Sequence, residues 1–229
     1  MPQVNTPHSL RAIIFDCDGV LLESVDAKTE AYRSLFAEHR RHLAAILEYH
    51  HDNGGVSRYD KIRHIYRHIL HQPLSEQGLM ELCARFTTLS FEGVLAAPLV
   101  QGVHEFLRVY HDRLHLFVAS GTPQEELETL LKLRGLRPYF CDVFGSPSSK
   151  REILGQILGF WGLTPGAVVM VGDAPTDLQA SEAWGIRFIG RISRSQATAL
   201  PPRVRHNAIV DFFDLAELLK DLLPRNPLG

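Results

Sequence analysis

The chain has 229 residues, 45% of them hydrophobic and 22% charged, with a formal net charge of −2. That length holds one large domain, or a core of usual size with a smaller inserted module. The composition is that of an ordinary globular protein; it excludes a disordered tail or a coiled coil, and it supplies neither a nucleic-acid-binding nor a membrane-binding surface. In chain order, Ala12-Ile13-Ile14-Phe15 is a short, partly β-branched apolar run that ends in Asp16-Cys17-Asp18-Gly19, the pattern of a buried strand feeding a turn. The next such runs are Leu114 to Ala119, before Ser120-Gly121-Thr122, and Ala167 to Val171, before Gly172-Asp173. Val143-Phe144, Phe188-Ile189 and Ala208 to Val210 carry a weaker form of the same signal.

Helix-spaced apolar residues fall in Val103 to His111, Gln124 to Arg134, Arg151 to Phe160 and Thr176 to Trp184, with Gly135 and Gly185 placed as C-caps. Strands alternating with helices of this length imply right-handed βαβ units, hence an α/β fold with a Rossmann-like parallel sheet. From about Val25 to about Leu95 the alternation stops and only helix-like segments occur, broken near Asn53-Gly54-Gly55 and Pro73. This stretch reads as an inserted helical cap of residues 25–95 on a core of residues 1–24 and 96–229. Its hinges are expected at Leu22 to Ser24 and at Ala96-Ala97-Pro98, where the proline stiffens the return crossing. The tail, Pro224 to Gly229, is expected to fray.

In an open parallel sheet, ligands bind outside the carboxyl ends of the strands. The acidic and hydroxyl residues gather there: Asp16 and Asp18 after the first strand, Ser120 and Thr122 after another, Lys150 opening a helix, and Asp173 with Asp177 after a further strand. Singly each has a plain structural reading: Ser120 before Gly121 as a turn, Asp177 as a first-turn acid on the helix macrodipole, Lys150 as a surface lysine. The ordered set is far more specific.

Four segments carry a resemblance to the haloacid dehalogenase superfamily of phosphotransferases: Phe15-Asp16-Cys17-Asp18-Gly19-Val20, Val118-Ala119-Ser120-Gly121-Thr122, Lys150, and Val171-Gly172-Asp173-Ala174-Pro175-Thr176-Asp177. They fall in the family's order and span most of the core. A cap between the first and second motifs resembles the subclass with a small helical cap, which includes phosphoglycolate-phosphatase-like enzymes and β-phosphoglucomutase. The resemblance implies a phosphoric monoester hydrolase that forms an aspartyl-phosphate on Asp16, with Asp18 as general acid and base. It implies Mg2+ held by Asp16, Asp173 and the main-chain carbonyl of Asp18, with Asp177 ligating or orienting a metal-bound water. Ser120 would donate to a phosphoryl oxygen, Lys150 would balance the charge of Asp16 and the phosphate, and Gly19, Gly121 and Thr122 would line the substrate site. Two departures stand out: Arg151 follows the lysine where the family often has proline, and Glu23 replaces an aspartate common after the first motif.

Selectivity is expected from the cap. Gly55-Val56-Ser57-Arg58 resembles the β-phosphoglucomutase segment whose arginine meets a distal phosphate, so Arg58 is a candidate for binding a second anion, the alternative being a solvated arginine at a helix start. Lys28 occupies a comparable position at the start of the cap, where the mutase would show histidine. Hydrolysis of a small phosphorylated metabolite is the favoured activity, ahead of a sugar-phosphate mutase and of a non-catalytic binding protein on the same fold. Asp18 itself disfavours dehalogenase and phosphonatase chemistry, whose relatives lack an aspartate there. His64 and His68 lie four apart on a presumed helix, yet no acidic or cysteine partner is spaced to complete a metal site, and the twelve histidines read mainly as polar cap faces. Cys17 points away from the two aspartates by strand alternation and belongs to the core. Cys17, Cys83 and Cys141 lack metal-ligand spacing, which disfavours a disulfide framework or structural zinc and indicates a reducing cytoplasm. Met1 to Leu10 lacks the pattern of an export signal, and no apolar run has the length of a membrane span. A monomer or homodimer is expected.

Overall fold

A computed structural model describes residues 9–193, 198–206, 208–220 and 222–223. The expected frayed tail lies outside the described residues. Strand β1 (Ala12–Phe15) is followed by four helices before any further strand: α1 (Val25–Leu35), α2 (Leu43–Asp52), α3 (Arg58–His64, continued by a π-helical turn over Ile65–Ile69) and α4 (Glu76–Ala96). Alternation then begins with α5 (Val103–Tyr110), β2 (His115–Pro123), α6 (Gln124–Leu133), β3 (Asp142–Ser146), α7 (Lys150–Phe160), β4 (Val168–Gly172), α8 (Pro175–Trp184) and β5 (Arg187–Gly190). Two helices close the described chain, α9 (Pro202–Arg205) and α10 (Phe212–Leu219).

All pairings in the sheet are parallel, and the strand order is β3-β2-β1-β4-β5. The central strand β1 is covered on both faces, which is why its sequence is uniformly apolar. On one face Phe15 stacks on Phe212 at 5.6 Å between ring centroids and meets Phe106 edge-on at 6.1 Å. On the other, Ile14 joins Phe117, Met170, Leu154 and Ile157. Phe15 lies level with Val118 of β2 and Val171 of β4, so the residues that follow all three strands emerge at one rim. The chain moves outward in one direction through β2 and β3 and in the other through β4 and β5; the crevice at that reversal is where such sheets place ligands.

Helices α1 to α4 enclose an apolar cluster of their own, including Tyr32, Phe36, Ile46, Ile62 and Phe86. The two crossings between them and the sheet run side by side: Leu22 bridges Leu99, Glu23 N donates to Pro98 O at 2.9 Å and Val100 N to Leu21 O at 3.0 Å. Gly135 and Gly185 follow α6 and α8 with φ of +68° and +67°, the left-handed conformation that ends a helix.

Two local expectations are corrected. Ala208 to Val210 is not a strand of the sheet; Ile209 makes one isolated parallel bridge with Arg191, and the chain turns at once into α10, whose N-cap Asp211 accepts from the N–H groups of Phe213 and Asp214. Ser120-Gly121-Thr122 does not leave the sheet, because β2 continues through it to Pro123 with a register shift against β3 between Ala119 and Pro123.

Candidate active site

Asp16 follows β1 directly, and its N–H still donates to Val171 O at 2.9 Å, so the sheet fixes its backbone. The carboxylate is buried; Oδ1 accepts from Cys17 N at 2.7 Å and Oδ2 faces Lys150 Nζ at 2.7 Å. Burial pushes this carboxyl up to about 7 against the pull of Lys150, and Asp177 and Asp18 add to the rise. Lys150 owes its place to helix capping. Ser149 Oγ accepts from Glu152 N at 3.3 Å and Ser149 N donates to Glu152 Oε2 at 2.8 Å, a capping box that starts α7 with Lys150 as its first residue. The Lys150 amine also meets Asp177 Oδ1; burial opposes its charge, but the two carboxylates hold its proton more tightly than usual.

Asp177 does double duty. Its Oδ2 accepts from Ala174 N at 3.2 Å in the first turn of α8, while Oδ1 meets Lys150, so one carboxylate both caps the helix and faces the lysine. Asp173 lies beside it at the β4 rim; burial, then Asp16 and Asp177, push its carboxyl well above the usual range. Ligand oxygens of Asp16, Asp173 and Asp177 lie within 4.8 Å of one another. Three hard carboxylate donors so close, with two of them driven toward the neutral acid, form a donor set that fits a divalent cation such as Mg2+. Gly19 explains its own presence here. Its φ is +76°, and a Cβ would lie 2.0 Å from Asp173 Oδ2.

The Asp18 carboxylate stands outside that cluster. Oδ1 accepts from Ser24 Oγ at 2.7 Å, while Oδ2 accepts from Thr122 Oγ1 at 3.1 Å and pairs with Lys28 Nζ. Burial favours its neutral form, yet Lys28 and the two hydroxyls together hold it below the usual carboxylate range. Lys28 Nζ also reaches Thr122 Oγ1 at 2.8 Å, so the lysine of α1 joins the loop after β1 to β2. Ser120 is buried on the same rim, its Oγ accepting from Thr122 N at 3.1 Å.

Arg58 lines the same cavity but is not a solvated arginine, and its planar fork is already engaged. One nitrogen donates to Thr87 Oγ1, the other meets Glu126 Oε1 of α6 at 2.7 Å, and the guanidinium lies 4.8 Å from the centre of the Phe86 ring. His64 is stacked on Tyr49 at 4.0 Å and packs against His68; among the described residues the acidic trio is the one group with metal-holding geometry. Cys17 is buried in the core, as strand alternation required.

Sequence reasoning missed Arg191, Lys61, His50 and Tyr32. Arg191, after β5, donates to Gly19 O at 3.1 Å and to Glu23 Oε2 at 2.9 Å, tying the loop after β1 to the far edge of the sheet; Glu23, which read only as a family departure, is its partner. Lys61 is buried, with its Nζ 3.1 Å from both His50 Nδ1 and His50 O, and Tyr32 is buried beside them. A signal existed: Arg58, Lys61, Ile62 and Ile65 follow the i, i+3, i+4, i+7 spacing of an inward helix face, and two of the four are cations.

A family model described as haloacid dehalogenase-like hydrolase matches residues 10–185. The chain belongs to that family. Phosphoglycolate phosphatase of Synechococcus elongatus is 28% identical over 190 residues, covering 77% of this chain and 81% of that protein. The crystal structure of a predicted phosphoglycolate phosphatase from Haemophilus somnus superposes with a TM-score of 0.71 at 18% identity, covering 94% of this chain and all of that one. That of a putative β-phosphoglucomutase from Bacteroides vulgatus does so with 0.71 at 19% identity, over 95% of this chain and 92% of the other. At those identities the structures speak for the fold. The family and the curated relative together make this haloacid dehalogenase-like hydrolase a phosphoric monoester hydrolase.

Proposed function

We propose that the chain is a Mg2+-dependent cytoplasmic phosphatase that cleaves a small phosphorylated acid of the phosphoglycolate kind, through an aspartyl-phosphate on Asp16, with residues 25–95 acting as its cap. The observation that carries this reading is the division of labour between two carboxylates two residues apart. Asp16 faces the acidic trio and Lys150, whereas Asp18 is held apart by Ser24, Lys28 and Thr122. One is placed to attack phosphorus, the other to move a proton.

In the first step an Asp16 oxygen bonds to phosphorus as the ester P–O bond breaks, and Asp18 gives its proton to the departing oxygen. The contacts that depress the Asp18 carboxyl favour its ionised form, the one that takes a proton from water in the second step. In the second step Asp18 takes a proton from water, the water oxygen bonds to phosphorus, and Asp16 is released with inorganic phosphate. Ser120 and the Lys150 amine orient and balance the phosphoryl oxygens. Asp16, Asp173 and the main-chain carbonyl of Asp18 would hold Mg2+, with Asp177 completing the site, and the cation would supply charge neutralisation at the phosphoryl oxygens. The substrate class rests on the curated phosphoglycolate phosphatase relatives and on a cavity of about 290 Å3 bounded by both core and cap residues.

Asp16→Asn keeps the shape and removes the attacking charge, so turnover of phosphoglycolate should fall to background. Retention of more than a tenth of wild-type activity in the purified variant would reject the covalent mechanism. Chelation by EDTA should abolish hydrolysis and added Mg2+ restore it; full activity in chelator would reject the metal assignment.

A further inference from the structure

Four cationic side chains line the cavity: Lys28, Arg58, Lys61 and Arg191. Three already face a carboxylate, namely Asp18, Glu126 and Glu23 respectively. Among the described residues no carboxylate lies within ion-pairing distance of Lys61. Two of its three N–H donors go to His50, one to the main-chain oxygen and one to Nδ1. Burial, with Lys61 close by, keeps the His50 ring neutral, and because a charged Lys61 amine can only donate, its contact makes Nδ1 the acceptor. Among the described residues the third donor meets no further acceptor, and the Nζ lies 5.8 Å from the centre of the Tyr32 ring. On the same cavity wall, the buried hydroxyl of Tyr32 has no hydrogen-bond partner either. An orphaned buried hydroxyl beside a buried amine that faces no carboxylate is costly in the free protein and becomes favourable when a ligand supplies acceptors.

We infer that Lys61 and Tyr32 form the subsite for the second anionic group of the substrate, and that this group is a carboxylate. The inference rests on the phosphatase reading above and moves the distal contact from Arg58 to Lys61. A carboxylate suits the site better than a second phosphate. One ammonium and one hydroxyl match a single negative charge, and the guanidinium fork that suits a phosphate is committed to Thr87 and Glu126.

The test compares phosphoglycolate with 2-hydroxyethyl phosphate, an ester of similar size that carries a hydroxyl in place of the carboxylate. Lys61→Met should lower the ratio of kcat/KM for the acid to that for the alcohol by about ten- to a hundredfold, and Tyr32→Phe by about three- to tenfold. Tyr32→Phe should not melt below the wild type, since it removes a buried hydroxyl that the free protein leaves unsatisfied, whereas Lys61→Met also frees two His50 acceptors, so its melting temperature is measured beside the kinetics. A ratio that stays within twofold in Lys61→Met would overturn the inference. Calorimetric titration of phosphoglycolate into Asp16→Asn, with and without Lys61→Met, gives a readout that needs no turnover. Binding at least tenfold weaker in the double variant supports the subsite and equal binding overturns it. If the wild type hydrolyses neither ester, the catalytic reading falls, and the titration alone decides the fate of Lys61.

Discussion

At the scale of single residues, the site separates charges that would otherwise defeat one another. Lys150 stands between Asp16 and Asp177, and Lys28 takes Asp18 out of the acidic trio. Lys28→Met should therefore cost more in kcat than in KM, roughly ten- to a hundredfold by the weight of a charge-assisted hydrogen bond, because Asp18 loses its position while the phosphoryl site keeps Lys150 and Ser120. Steady-state kinetics on phosphoglycolate would show it. Lys61 adds a pH signature. Burial, and then Lys28, lower its amine to about 7, while Asp18 and Asp173 oppose that fall and Lys150 adds to it. Above that pH the free enzyme loses the ammonium, so kcat/KM for phosphoglycolate should decline relative to 2-hydroxyethyl phosphate as pH rises from 6 to 9. The ratio cancels titrations common to both substrates; His50, driven down to about 2, contributes nothing in this range, and Lys61→Met should flatten the curve.

At the scale of elements, capping and glycine placement do the positioning. Gly55 sits at φ +75°, and a Cβ there would meet Thr176 Oγ1 at 2.3 Å and Lys150 Nζ at 2.9 Å. Gly121 approaches from the other side, where a Cβ would lie 2.5 Å from Gly55 O. Gly55→Ala should cost about 1–2 kcal/mol of backbone strain and displace Lys150, which a lower melting temperature together with a reduced kcat would reveal. Much of this layer was legible in the sequence. The central strands, the helices from α5 to α8, both glycine C-caps and the run of helices after β1 all follow from period and punctuation. What escaped depended on tertiary pairing. No local pattern shows that Glu126 waits for Arg58 or Glu23 for Arg191, because each pair joins elements far apart in sequence. Ala208 to Val210 carries the apolar signal of a strand, but the Asp211 cap committed the chain to a helix first.

At the scale of the whole molecule, the Arg58–Glu126 pair ties α3 to α6, with side chains 4% and 12% exposed. Removing one partner of a buried pair leaves the other uncompensated, a penalty of about 3 to 5 kcal/mol. Glu126→Ala should lower thermal stability on that scale. Arg58→Ala should do likewise and raise KM for every phosphate ester alike, in contrast to Lys61→Met, which discriminates between them. A double-variant cycle would isolate the pair, and additivity of the two losses would show that they do not act together.

The double-glycine turn between α2 and α3 rests on the start of α8 and on Lys150: Gly54 O accepts from Thr176 Oγ1 at 2.8 Å, and Gly55 leaves no room for a side chain beside the Lys150 amine. We expect release of phosphate to involve peeling that turn off the start of α8, which drags protein surface through solvent. Friction therefore enters the turnover number. In sucrose solutions kcat should fall in proportion to relative viscosity, whereas Thr176→Val, which unhooks the turn, should weaken that proportionality.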